Sequence, residues 1–259
     1  MSTFLFDQII FGPVKSRRLG LSLGVNLLPT DSKVCSFDCI YCECGWNPKK
    51  REKKAVLPAR IEVRQKLEEK LAQMVLENDL PDVITFAGNG EPTLHPEFEG
   101  IIDDTIELRN RLTPMARIAV LSNATMLHKP EVTGALLKVE DNIQKLDSAF
   151  EETIRKMDCP APNFKLTKVV ETLKSFKGQV IIQTMFLRGT YQGEIIDNST
   201  KEELDAWLKL IAEIRPSQVM IYTIDRETPA TGLEKLKIGE LQQIADQVRA
   251  LGFPVQVSG

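Results

Sequence analysis

Short apolar runs alternate with amphipathic stretches along nearly the whole chain, and this alternation restricts the possible folds most strongly. Repeated strand-then-helix units lay their strands side by side in a parallel sheet with helices outside. Strands are expected at Leu19–Leu27, Asp82–Ala87, Arg117–Leu121, Asn142–Leu146, Gln179–Leu187 and Gln218–Ile224, with a terminal strand at Phe253–Val257. Helical spacing covers Arg60–Asn78, with Leu67, Leu71, Met74 and Val75 on one face, and recurs over Phe98–Arg111, Pro130–Lys138, Glu151–Met157, Leu166–Phe176 and Ile238–Leu251. Ser199-Thr-Lys-Glu202 has the pattern of a capping box opening a helix that runs to Ile214. The 259 residues suffice for one large α/β domain. Six βα units and one extra strand are too few for a closed eight-stranded barrel. By periodicity alone, a partial barrel and a doubly wound open sheet fit equally.

Cysteine placement bounds the chemistry. Three of the five cysteines share one loop, Cys35-Ser-Phe-Asp-Cys39-Ile-Tyr-Cys42, with Cys44 just beyond it and Cys159 remote. An odd, clustered set argues against a secreted disulfide framework and for metal ligation in a reduced cytoplasm. Met1–Asp7 lacks a basic n-region and a long apolar run, so no signal peptide is expected. Apolar runs such as Val180–Leu187 are too short to span a bilayer. The C-x3-C-x2-C spacing offers three thiolates, one fewer than the four that normally close a [4Fe–4S] cube. A cluster held this way keeps one iron open. Zinc bound by the four clustered cysteines is the competing reading, although structural zinc usually pairs two separate short knuckles.

Charge is uneven. Residues 1–60 carry ten Lys/Arg against five Asp/Glu, a net of +5 that leaves -8 for the remainder. Much of the excess is Lys49-Lys50-Arg51 with Lys53-Lys54, a solvated loop by default that would also suit an anionic or nucleic-acid substrate. The overall pI near 5.6 speaks against a general nucleic-acid binder.

Polar groups gather at the expected carboxyl ends of strands. Gly88-Asn-Gly-Glu-Pro-Thr93 follows Asp82–Ala87, where glycines let a ligand approach the backbone closely. Ser122-Asn123-Ala-Thr125 and Leu146-Asp147-Ser148 close the next two strands. Turn and helix-cap roles are the plain alternative for these residues. Gln183 and Met185 lie on the face opposite Thr184, and the pattern does not say which face points inward. His95, in a Leu-His-Pro turn, is expected to orient its loop. Arg17 and Arg18 are expected to be exposed charges unless they reach a substrate anion.

The cysteine loop, with Tyr41 directly before the third cysteine, resembles that of the radical S-adenosylmethionine (SAM) superfamily, as does the glycine turn one βα unit later. Phe11–Asn26, Gly88–Pro96 and Leu146–Pro160 resemble more narrowly the iron–sulfur oxidoreductases related to the wyosine-base synthases. The resemblance implies an α/β fold, a partial (β/α)6 TIM-like barrel. It would form one domain over 1–259, with a lead-in at 1–18, a core barrel at 19–225 and a C-terminal loop, helix and strand at 226–259. It implies a [4Fe–4S] cluster on Cys35, Cys39 and Cys42, and SAM contacts from Gly88, Asn89, Gly90, Glu91, Ser122, Asn123, Asp147 and Ser148. No catalytic residue is assigned. The implied partners are an external low-potential electron donor and an unknown substrate, anionic or RNA, with no membrane role. The alternatives are modification of a tRNA or RNA base, activation of a glycyl-radical enzyme, and non-catalytic electron carriage. The tRNA tricyclic-base enzymes carry extra cysteines for a second cluster that binds pyruvate. Only Cys44 and Cys159 remain here, so that activity is not carried over.

Overall fold

Inward and outward faces of the strands alternate around a curled sheet, and this alternation builds both the core and the cavity. The computed structural model describes residues 4–16, 18–49 and 55–259. The strands are β1 (Ile10–Ser16), β2 (Gly20–Val25), β3 (Val83–Phe86), β4 (Arg117–Ser122), β5 (Asp141–Lys145), β6 (Ile181–Met185), β7 (Leu187–Tyr191), β8 (Glu194–Asp197), β9 (Gln218–Tyr222), β10 (Leu233–Lys235) and β11 (Val255–Ser258). The helices are α1 (Arg60–Glu77), α2 (Phe98–Leu112), α3 (Pro130–Leu136), α4 (Glu151–Met157), α5 (Leu166–Ser175), α6 (Lys201–Ile214) and α7 (Ile238–Ala250). The large sheet runs β1-β2-β3-β4-β5-β6-β9-β11, parallel from β2 to β11, with β1 antiparallel on the β2 edge. This is the partial (β/α)6 barrel of the TIM-like type. It takes in Ile10–Ser16 and Val255–Ser258, both outside the 19–225 span expected for the core.

The floor of the barrel is apolar: Leu19, Val83, Ala119, Ile143, Ile181 and Met220 pack there as a separate cluster. The alternate positions, such as Ile84, Phe86, Ile118, Val120, Ile182 and Ile221, join the larger core under the helices. This settles the orientation of β6. Gln183 lies on the inward face with Ile181, while Thr184, fully buried, bonds the Leu146 carbonyl at 2.8 Å. One layer above the floor the interior turns polar, with Ser22 and Thr85 hydroxyls 2.7 Å apart.

Three expectations need correction. The run Gln179–Leu187 is not one strand, because β6 ends at Met185 and β7 leaves to form a small antiparallel sheet ordered β10-β7-β8. That sheet went unforeseen because its strands, of three to five residues, are too short to show an alternation. The cap of α6 is Thr200, whose hydroxyl accepts from Glu203 N, while the Ser199 hydroxyl bonds Asp197. On α1, Val63 replaces Val75 on the buried face, and Val75 is exposed. No helix among the described residues is long and apolar enough to cross a membrane. The basic run at 50–54 and Arg17 lie outside the described residues.

The glycine turn after β3 is the steric crux. At Gly90 (φ +136°) an added Cβ would sit 1.9 Å from the Val34 carbonyl oxygen. Gly90→Ala should therefore destabilise the protein by about 3 kcal/mol or more. At Gly134 on α3 an added Cβ meets nothing within 4 Å, so Gly134→Ala should be neutral or slightly stabilising. Thermal unfolding of the pair checks both, and equal melting temperatures would contradict the steric argument.

Candidate metal and cofactor site

The cysteine loop leaves β2 and crosses the carboxyl end of the barrel, held there by backbone pairing. Val34 N donates to Asn89 O at 2.8 Å and Glu91 N donates to Val34 O at 3.0 Å, an isolated parallel bridge between loop and turn. The far side of the loop is fixed by Asp38 N to Asp158 O and Ile40 N to Met157 O, both 2.9 Å. Asn47 closes its base, accepting from Cys35 N at 3.0 Å and donating to Phe37 O at 2.9 Å. Both ends of the loop are thus locked before any ligand arrives.

Asn89, where the superfamily pattern has glycine, has a structural use. Its fully buried amide donates to Phe6 O at 2.8 Å and Pro29 O at 2.7 Å, and accepts from Phe6 N at 2.9 Å. It ties the N-terminal segment to the turn. The Gly88 carbonyl accepts the Cys44 thiol at 3.2 Å. Glu91 is buried with both oxygens engaged, by Thr93 N at 3.1 Å and by Asn123 N at 2.6 Å. Burial holds its carboxyl above the usual range.

The thiols stand around a buried cation. Lys33, only 2% exposed, donates to Gly45 O at 2.8 Å and lies 3.4 Å from Asp38. Burial opposes its charge, yet the charges of Cys42, Cys39 and Cys35 raise its pKa overall. Burial, then Glu91, pushes Cys35 up to about 12, and burial also raises Cys39 well above its ordinary value. Cys42 moves the other way, to about 6, chiefly through the neighbouring Cys44 and then, against burial, through Lys33. Buried thiols that resist ionisation become thiolates when a cation balances them, which is what bound iron does. Among the described residues no three His, Cys, Asp or Glu side chains converge to hold a single metal ion. The donor set fits: three soft thiolates, with Cys44 turned to Gly88.

The other expected contacts divide into two groups. Asn123 lies beside the loop, its amide donating to Ser36 Oγ at 2.9 Å and lying 3.5 Å from Cys35 Sγ. Ser122 accepts from Ala124 N at 3.1 Å, a turn contact. Asp147 accepts from Met185 N at 3.0 Å and from the Tyr41 hydroxyl, so its carboxylate is used within the protein. Ser148 donates to Glu203 at 2.6 Å and accepts from Phe150 N at 2.8 Å. His95 accepts from Glu97 N at 3.1 Å and lies 2.9 Å from Pro58 O, which orients its loop.

One cluster escaped the sequence reading. Lys145, an inward residue of β5, bonds Tyr41 and Asp147 and lies 3.9 Å from Asp158. The Tyr41 oxygen is 2.8 Å from Asp158, whose carboxyl is pushed up to about 7 by burial and then by Asp147. The signal was present in the two-residue step Ile143, Lys145, Asp147, which puts a lysine on the barrel face.

Known proteins were compared with this arrangement. The radical SAM superfamily model matches residues 30–198. Two curated relatives are similar: the "GTPase Obg" of Brachyspira hyodysenteriae, 31% identical over 90% of this chain and 32% of that protein, and the UPF0026 protein MJ1312 of Methanocaldococcus jannaschii, 30% identical over 91% of this chain and 70% of that protein. This chain therefore spans about a third of the first relative's length. Among solved structures, a radical SAM methyltransferase from Sphaerobacter thermophilus superposes with a TM-score of 0.66, at 12% identity, over 92% of this chain and 65% of that one. TYW1 with a lysine–pyruvate adduct gives 0.62 at 14% identity, over 88% and 73%. Streptococcus suis SuiB bound to SAM gives 0.62 at 15% identity, over 88% and 49%. At such identities these likenesses concern the fold.

The Glu91 clamp can be tested. Glu91→Gln replaces one acceptor with a donor and strands a buried N–H, at a cost of about 1–3 kcal/mol. Urea unfolding of the cluster-free protein should show that loss, and an unchanged midpoint would refute the clamp.

Proposed function

Because the chain belongs to the radical SAM superfamily, whose members use a [4Fe–4S] cluster and SAM, we propose that Cys35, Cys39 and Cys42 hold one such cluster in a SAM-cleaving enzyme. The observation that carries this reading is the locked loop of three thiols, Cys39 buried and Cys35 and Cys42 half-buried, bridged to a glycine turn through Val34 and Gly90. When bound on these cysteines and reduced by an external donor, the cluster would supply the one-electron reductive cleavage of SAM that makes hydrogen-atom abstraction from a substrate possible. The chain's own part is to bind, align and exclude water. Gly88 O is the carbonyl offered to the methionyl ammonium, and Asn123 is the side chain nearest to share in SAM binding. Glu91 and Asn89 act through the backbone they hold, and Tyr41 with Asp147 fixes the loop over the barrel. Cys44 and Cys159 are the only further cysteines, which supports a single cluster and separates this chain from pyruvate-using tRNA enzymes. The reading includes an external low-potential electron donor and a cytoplasmic setting.

Anaerobic reconstitution tests it. The wild type should bind about four irons per chain and, once reduced, form 5′-deoxyadenosine. Alanine at Cys35, Cys39 or Cys42 should remove the reduced-cluster EPR signal, while Cys44→Ala and Cys159→Ala keep it. A cluster that forms without perturbation or cleavage by SAM would return the protein to electron carriage.

A further inference from the structure

Arg18 was expected at the surface, yet it turns into the barrel. Its guanidinium donates to Gln183 Oε1 at 2.6 Å and lies 4.7 Å from the centroid of the Tyr222 ring. Gln256 holds its carbonyl at 2.8 Å from the opposite edge of the sheet. Among the described residues no carboxylate lies within ion-pair distance of Arg18, although the other interior cation, Lys145, has both Asp147 and Asp158. A half-buried guanidinium without a counter-charge is costly, and the ring face offsets only part of that cost.

The neighbours are donors too. Gln183 gives an N–H to the Tyr222 oxygen at 3.1 Å, so the phenol proton is left to donate onward. Arg18 and Tyr222, which Gln183 bridges from behind, line a cavity of about 70 Å³ with Tyr41, Met185 and Ser258, on the order of two water volumes. Tyr41 belongs to the cysteine loop, so the cavity opens beside the proposed cluster. The carboxylates at its rim are engaged: Glu43 pairs with Arg226 at 2.9 Å, and Asp225 has a partner of its own.

We propose that Arg18 and Tyr222, oriented by Gln183, are the seat of an anionic group on the substrate, a carboxylate or a phosphate, that fills the missing counter-charge. A planar fork beside a phenol donor suits two oxygens at once. The inference rests on the SAM-cleaving reading for its reaction, but the anion seat can be measured separately.

Inorganic phosphate and acetate are titrated calorimetrically into the anaerobically reconstituted protein with SAM, with chloride holding ionic strength constant. At least one anion should bind the wild type, and the preferred one names the group. Arg18→Gln should weaken it roughly tenfold to a hundredfold, and Arg18→Lys should recover part of the loss. Gln183→Glu supplies an internal partner for Arg18 without changing shape, so it should weaken binding similarly while leaving the melting temperature near wild type. Failure of both anions to bind, or binding equal to wild type in Arg18→Gln or Gln183→Glu, overturns the proposal. Assay of 5′-deoxyadenosine on the same wild-type sample keeps the readings apart. Its absence refutes SAM cleavage, while the anion data still decide on the seat.

Discussion

The backbone bridge between Val34 and Gly90 is the constraint on which the mouth of the barrel depends. It converts the start of a long loop into an extension of the parallel sheet, so the cysteines inherit the rigidity of the strands. The bridge requires the turn to approach Val34 more closely than any Cβ permits, which explains the glycine. Glu91 then passes the same order to the neighbouring strand end, because one of its oxygens holds Thr93 and the other Asn123 N. Three loops from β2, β3 and β4 are thereby tied together.

Electrostatics gives that unit its chemical bias. Burial alone would keep Cys35 and Cys39 protonated, opposed only by Lys33 at Cys35 and by Lys145 at Cys39. The site therefore has more potential negative charge than internal positive charge. Cationic iron bound there would correct the imbalance, and its binding would release the thiol protons. The barrel interior is biased in the opposite sense at Arg18, where positive charge lacks a described partner.

Much of this was legible in the sequence because it is periodic or local. The six βα units and the extra strand follow from apolar spacing, and β2, β3, β4, β5 and β9 fall inside or within a residue of their expected runs. The family motifs located the thiols and the turn. What stayed hidden depends on long-range partners. Asn89 reads as a variant of a glycine until Phe6 and Pro29 are seen against it. Ser148 looks like a ligand contact at a strand end until Glu203, 55 residues away, takes its hydroxyl. Thr200 displaced Ser199 as a cap because Asp197 competes for the serine, a choice the four-residue pattern does not contain.

The position of Arg18 shows why such residues resist reading from sequence. It sits just before β2, where a paired arginine normally faces water. Only sheet curvature brings that spot across from β6 and β9, and only the inward phase of β6 presents Gln183 rather than Thr184 to it. Had β6 been shifted by one residue, Thr184 would have entered the barrel and the guanidinium would have lost its acceptor. The strand register that buries Ile182 against the helices therefore also sets the chemistry of the cavity. Core packing and the orientation of Arg18 are two faces of the same strand.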